Sequence, residues 1–381
     1  MMENPALSHE HRLLRDQISR FVAEEVRPHA AQWEAAGHVP RDLLRRMGAL
    51  GFLGIRYPEA YGGAEMDSLA TVVLAEELGR SGFGGFAVTV LVHTDMASPH
   101  LANAGTPEQL AQYMPGVISG DTITAVAVTE PDAGSDVGGI RSRARRDGNH
   151  WVINGRKLYI TNGVLGDLYF VAARSDPGAK ASRGTTIFIV EKGTPGLSVA
   201  TQLDKSGWCS SDTAELVLDD VRVPAANVLG EVDRGFYAIM QNFQNERLVL
   251  GAQAMGEAMR ALEITLQYVK ERKAFGATLW DREAIRQVLA GRWAEVAAAR
   301  ALVYQTAQQI DAGVDCVREV SAIKALCGDL VNKVMYDCQQ FHGGFGYMRG
   351  TEIERMVRDA RVQAIGGGAT EVMREEIAKR L

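Results

Sequence analysis

The stretch I-T-A-V-A-V-T-E-P-D-A-G-S-D-V, Ile123 to Val137, is where the chain changes character. Upstream of it apolar residues recur every three or four positions. From Ile123 the period falls to two and β-branched residues gather, the pattern of a strand that presents alternate residues to opposite faces. Similar runs follow at short spacing: W-V-I-N-G-R-K-L-Y-I-T (151–161), L-Y-F-V-A-A-R (168–174), T-T-I-F-I-V-E (185–191) and A-E-L-V-L-D-D-V-R-V (214–223). Asp147-Gly148 and Asn154-Gly155 have the residues that tolerate positive φ in tight hairpins, so both are expected to be turns. Residues 123–232 are therefore predicted to form an antiparallel β domain, a small barrel or sandwich.

On either side the helical period holds. Residues 1–122 are expected to form a helical domain. Its first helix carries Leu14, Ile18, Phe21, Val22 and Val26 on one face. Gly51, Gly54, Pro58, Gly62 and Gly63 interrupt the run, and a second apolar helix follows through Leu69, Val72, Val73 and Leu78. Residues 233–381 predict long helices near 236–271, 281–312, 317–341 and 369–380, which suit an antiparallel bundle. The fold class is α+β, with helices first, then β structure, then a helix bundle.

The 381 residues are 46% hydrophobic and 23% charged, the balance of a soluble globular protein. A net charge of -6 argues against a nucleic-acid surface, and no window approaches the roughly 18 apolar residues of a membrane span. Cys209, Cys316, Cys327 and Cys338 show no metal or redox spacing, so no metal is expected; the last three suit a small-residue helical face. The N-terminus, M-M-E-N-P-A-L-S-H-E-H, has mixed charge and no apolar run, so a cytoplasmic protein is expected. Gly82-x-Gly84-x-x-Ala87 resembles a dinucleotide fingerprint but follows a helical segment where that motif needs a strand.

The end of the first strand run is better equipped. Val128 to Val137 leaves a strand and enters a loop with hydroxyls at Thr129 and Ser135 and bare backbone at Gly134, groups suited to a phosphate or a flat polar ring. A second strand ends in L-Y-I-T-N-G, Leu158 to Gly163, with an aromatic and a hydroxyl. Together with E-R-K-A-F-G (271–276), Q-F-H-G-G-F-G-Y (340–347) and R-D-A-R-V-Q-A-I (358–365), these motifs resemble, in order and spacing, the acyl-CoA dehydrogenase flavoproteins. The resemblance runs nearly end to end.

That resemblance implies a helix-β-helix fold, an FAD cofactor, an acyl-CoA substrate, electron-transfer flavoprotein as partner, a homotetramer and a role in fatty acid β-oxidation. Val128, Thr129 and Ser135 correspond to the loop that contacts the flavin and its pyrophosphate, and Tyr159 and Thr161 to the aromatic and hydroxyl beside the isoalloxazine. Tyr159 stands where many relatives have Trp. Arg272, Phe275, Gln340 and Gly344 resemble positions that receive the FAD diphosphate and adenine from a neighbouring subunit, and Glu371 one that hydrogen-bonds near the flavin.

Near the C-terminus the chain reads A-I-G-G-G-A-T-E-V, Ala364 to Val372. In many family members this loop carries the catalytic Glu, but the matching residue is Gly367, which cannot act as a base, and Ala369 replaces a Thr that touches the flavin in relatives. The branch that includes the long-chain and isovaleryl enzymes carries its base on an earlier helix. In Q-N-F-Q-N-E-R-L-V-L-G-A, Gln241 to Ala252, Glu246 falls on a stripe with Ile239, Phe243 and Leu250. A carboxylate on an apolar face is costly unless paired, or its pKa rises toward the range of a base. Glu246 is thus the expected base, with Arg247, Gly366 and Gly367 beside the substrate.

The expected reaction is removal of the thioester α-proton by Glu246 while hydride passes from the β-carbon to the flavin, giving a trans-2-enoyl-CoA. The open glycine loop suggests medium-to-long or branched acyl chains. Two alternatives stand beside it: an oxidase, desulfinase or flavin monooxygenase on the same fold, or a non-catalytic acyl-CoA or flavin binding protein. His93 and His100 are expected to be packed or surface residues, and His342 and Tyr347 structural.

Overall fold

The computed structural model describes residues 6–381, so Met1–Pro5 of the charged N-terminal segment lie outside the described residues. The N-terminal helices are α1 (His9–Phe21), α2 (Ala30–Ala36), α3 (Arg41–Ala49), α4 (Ser68–Gly79), α5 (Gly84–Leu91), α6 (Ser98–Ala104) and α7 (Pro107–Ser119). Side chains that accept otherwise orphaned amides start α1, α4 and α7: Ser8 accepts from the His11 amide at 3.3 Å, Asp67 from Ala70 at 3.0 Å and Thr106 from Gln109 at 3.3 Å. The α1 stripe continues into a wider turn at Val22–Val26, keeping Ile18, Phe21, Val22 and Val26 buried. Gly82 and Gly84 belong to the bend between α4 and α5. A β-carbon at Gly84 would collide with the Trp208 ring, so packing accounts for that glycine.

Eight strands form one sheet: β1 (Thr124–Ala127), β2 (Arg143–Asp147), β3 (His150–Thr161), β4 (Leu168–Arg174), β5 (Thr185–Glu191), β6 (Leu197–Gln202), β7 (Thr213–Pro224) and β8 (Val228–Leu229). The order is β6-β7-β3-β2-β4-β5-β8, with β1 beside β4. The sheet is mostly antiparallel, but β1 runs parallel to β4, with Thr124 opposite Leu168 and Ala127 opposite Val171. One apolar face packs Trp151, Ile153, Phe188, Val190 and Val221; the other sets Leu168, Phe170, Ile187 and Ile189 against Leu101, Met114, Val117 and Ile239 of flanking helices. Burial on both faces explains why β4 and β5 read as continuous apolar runs.

One expected turn is corrected. Asp147-Gly148 does close the β2–β3 hairpin, with Asp147 paired to His150. Asn154-Gly155 instead lies within β3, where the register against β7 shifts between Ile153 and Gly155. The glycine is needed for close approach, because a β-carbon there would collide with Ser142.

The C-terminal region contains α8 (Gly235–Glu271), a short hairpin of β9 (Lys273–Ala274) and β10 (Ala277–Thr278), α9 (Glu283–Asp311), α10 (Val317–His342), α11 (Glu352–Ala360) and α12 (Thr370–Ala378). Cys327 and Cys338 are buried along α10, with Cys316 buried at its start. The three parts of the chain meet at one carboxylate: Asp359 of α11 accepts from the Gly84 amide at 3.0 Å and the Trp208 amide at 2.6 Å. This joint ties the start of α5 and the β6–β7 loop to α11, while the Gly366–Gly368 loop packs against Leu250 of α8. Among the described residues no helix is long and apolar enough to cross a membrane.

Candidate active site

The loop after β1 is held at both ends by one buried ion pair. Lys157 of β3, with no exposed surface, donates to the Val128 carbonyl at 3.0 Å and to Glu130 Oε1 at 2.7 Å. The Glu130 carboxylate also accepts from the amides of Arg141 at 2.6 Å and Ser142 at 3.0 Å, where the loop returns to β2. Burial alone would raise Glu130, but the Lys157 charge and these hydrogen bonds hold it below the usual carboxylate range. Leu158 adds an amide bond to the Thr129 carbonyl at 2.9 Å, which seats the loop beside the end of β3.

At that end Tyr159 occupies an irregularity between Lys157 and Ile160, with φ of 59°. A bulky residue in the left-handed region costs about 1–3 kcal/mol and persists only where the surroundings enforce it. Here the consequence is a ring left 67% exposed. The structure thus brings Val128, Thr129, Tyr159 and Thr161 together, with Ser135 exposed on the same loop. The hydroxyls of Thr129, Ser135 and Thr161 have no hydrogen-bond partner among the described residues. Nothing would crowd a β-carbon at Gly134. An exposed ring, three free hydroxyls and open backbone fit a flat polar cofactor.

Glu246 lies on α8 between buried Asn242 and Leu250. Its carboxylate makes no hydrogen bond or ion pair among the described residues. Burial raises its pKa to about 7, with Arg247 and Lys324 opposing that rise through their charges. Gly367 faces it directly: φ is 63°, and a β-carbon would lie 3.3 Å from Glu246 Oε1 and collide with Leu250. Gly368, at φ 107°, is crowded by Met373, whereas a β-carbon at Gly366 would meet only Val362 at ordinary distance. Two of the three glycines are therefore required by backbone and crowding; the structure does not explain the third. The Gly367 amide has no acceptor among the described residues.

Arg247 turns away from its neighbour. Its guanidinium lies 5.7 Å from the Phe243 ring and 3.5 Å from Ser321 Oγ, and its Nε is buried without a partner. Sequence reasoning missed Lys324, a buried lysine of α10 whose ammonium donates to the carbonyls of Gln363 at 2.5 Å and Gly368 at 3.3 Å. Its flanking stripe of Val320, Ile323, Cys327 and Val331 was the available signal. Also missed was Asp95, buried beside α8, where Asn245 donates to its carbonyl at 2.9 Å and Arg56 lies 3.5 Å from its carboxylate.

Arg272, Phe275, Gln340 and Gly344 occupy a different surface, at the β9–β10 hairpin and the end of α10. All four are exposed, Phe275 by 97%. No hydrogen bond or ion pair among the described residues links them to the Tyr159 group, and the Arg272 and Gln340 side chains have no partner. Glu371 is exposed in the first turn of α12. His93 is structural: its Nε2 meets the Val117 carbonyl at 2.9 Å and its Nδ1 the Thr124 amide at 3.1 Å. His100 is buried, which lowers its pKa to about 4. His342 bonds Thr265 at 3.1 Å and stacks on Tyr268, while Tyr347 is exposed.

The chain thus carries an exposed cradle suited to a flat cofactor and, on α8, a half-buried carboxylate without a hydrogen-bond partner among the described residues. Residues 8–121, 125–221 and 233–381 match the N-terminal, middle and C-terminal domains of acyl-CoA dehydrogenases. The chain is 40% identical over 380 residues to the mitochondrial long-chain specific acyl-CoA dehydrogenase of Mus musculus, covering 98% of this chain and 87% of that one. It is 36% identical to mitochondrial isovaleryl-CoA dehydrogenase of Pongo abelii, covering 98% and 89%. An acyl-CoA dehydrogenase structure from Geobacillus kaustophilus superposes with a TM-score of 0.96 at 39% identity, covering 99% of both chains. The chain belongs to the acyl-CoA dehydrogenase family. Its activity is acyl-CoA dehydrogenation, and its cofactor is FAD.

Proposed function

We propose that Glu246 is the base of this enzyme, acting on medium-to-long or branched acyl-CoA thioesters. The observation that carries this reading is that the half-buried Glu246 carboxylate has no hydrogen-bond partner among the described residues, opposite a loop whose Gly367 brings no side chain against it. A pKa raised to about 7 suits a group that must take a weakly acidic proton and release it again. The free amide of Gly367 is available to a thioester carbonyl, where a hydrogen bond would stabilise the developing enolate and acidify the α-proton. Arg247, with its orphaned Nε, is the proposed charged neighbour of the bound substrate.

FAD, when bound, supplies the acceptor for the β-hydride. Thr129, Ser135 and Thr161 would hold its polar edge and pyrophosphate, with Val128 lining the loop and the Tyr159 ring providing a stacking face; Glu371 is proposed beside them. Arg272, Phe275, Gln340 and Gly344 would serve the FAD of a second copy. Their exposure without partners supports a homotetramer in which cofactor binding and assembly are joined. Electron-transfer flavoprotein is the proposed electron acceptor. Four free cysteines suit a reducing compartment, in keeping with a cytoplasmic enzyme.

The test is an anaerobic titration with butyryl-, octanoyl-, palmitoyl- and isovaleryl-CoA, following the visible flavin band. Bleaching by the longer or branched thioesters is the expected result. Reduction confined to butyryl-CoA would remove the chain-length assignment.

A further inference from the structure

The face of α10 that meets the glycine loop is built to receive it. Lys324, Gly328 and Asn332 recur every four residues and therefore share one stripe. Lys324 donates to the carbonyls on either side of the loop, Gln363 at 2.5 Å and Gly368 at 3.3 Å. A β-carbon at Gly328 would lie 2.6 Å from the Gln363 oxygen, so only glycine admits this approach. Asn332 donates to the Ala360 carbonyl at 3.0 Å, and neighbouring Asp329 accepts from Thr370 at 3.0 Å. The Gln363 side chain is itself held by Glu257, at 3.3 Å. Within this bracket Gly367 lies between two side chains: its β-carbon position is 3.3 Å from Glu246 Oε1 and 3.6 Å from Lys324 Cε.

We propose that Lys324 is a positioning residue for the reaction: it fixes the loop so that Gly367 confronts Glu246, and its buried charge favours the ionised form of that carboxylate. The proposal rests on Glu246 being the base. The Lys324 ammonium bonds only carbonyls, so below about pH 8, where it is still protonated, its charge acts on Glu246, and in a poorly solvated site that attraction is weakly screened. The other charged or titratable groups around the pair are Arg247 on α8, Cys327 and Asp329 on α10, and Asp95 with Arg56 across from Asn245. Glu376 of α12 and Arg380 just beyond its end act on Arg247 through their charges.

The experiment compares Lys324→Met, Lys324→Gln and Lys324→Arg in the FAD-loaded enzyme. It uses the thioester that bleaches the flavin fastest and measures flavin reduction across pH. Removing the cation raises the Glu246 pKa, so the acidic limb of the rate profile should move to higher pH. A shift of about one unit gives about tenfold loss on the acidic side and little on the alkaline plateau. Gln keeps a donor for the Gln363 carbonyl and carries the test if Met does not fold; Arg should leave the limb in place. An unmoved limb, whether the rate falls equally at every pH or does not fall, would overturn the proposal. Glu246→Gln run in parallel separates the two failures. Retained reduction in that variant defeats the base assignment, whereas its loss together with an unmoved limb in Lys324→Gln defeats only the role of Lys324.

Discussion

Glu130 is buried and Glu246 half-buried, each near a buried lysine, and their pKa values shift in opposite directions. Glu130 accepts hydrogen bonds from Lys157 and two backbone amides, which together overcome burial and hold it ionised. Glu246 has no donor among the described residues, so burial dominates and its pKa rises to about 7. The lysines themselves are alike, each lowered by burial to about 8. What differs is the second partner. Lys157 gives one bond to a carbonyl and one to a carboxylate and builds a strut, while Lys324 gives both to carbonyls and leaves the nearby carboxylate unbonded.

The contrast can be broken most severely at the free carboxylate. Glu246→Gln should slow flavin reduction by about 10²–10⁴-fold, the range of a general base, while FAD content is retained. In the unsubstituted enzyme the base must be deprotonated to act. With a pKa near 7, kcat/KM should therefore fall tenfold per unit below about pH 7 and level off above it. A profile flat through that range would contradict the assignment.

At the strut the effect should appear in stability instead. Lys157→Met leaves Glu130 buried without its cation and should cost about 3–5 kcal/mol, read as a lowered denaturation midpoint with weakened FAD retention. If that variant kept full stability, the pair would not be holding the loop. The smallest expected effects come from the loop glycines. Gly367→Ala places a side chain at positive φ and should cost about 1–2 kcal/mol, with slower flavin reduction as Leu250 and Glu246 give way. Gly366→Ala should change stability by no more than about 0.5 kcal/mol, the usual range away from strained sites. Equal effects at the two positions would show that crowding at Gly367 is not the reason for the glycine.

Much of the fold was legible because period carries it: the fall to alternation at Ile123 and the return of helical spacing at α8 bracket the sheet. β2 and β6 escaped notice because exposed, polar residues such as Arg143, Arg145 and Ser198 blur alternation. Asn154-Gly155 misled because the same dipeptide serves a turn or an irregular strand, and only pairing with β7 distinguishes them. Glu246 could be picked out from its apolar stripe. Lys324 lies on a comparable stripe, but a helical lysine ordinarily reads as surface, and its importance depends on carbonyls some 40 residues away. Nor could the left-handed backbone of Tyr159 be anticipated, because it is imposed by a register shift across strands.

The space shared by Gly367 and Glu246 also bears on how a base could change its place during descent. A carboxylate introduced at 367 would enter the volume beside Glu246, and two such groups in contact cannot both ionise readily. A lineage passing through that two-acid state would still possess one ionised acid, at whichever position the neighbourhood favoured. It could then discard the other without an inactive ancestor. On the proposal that Glu246 is the base, such a crossing needs Leu250 to give way first, so the crowding at 367 now holds the proton acceptor on α8.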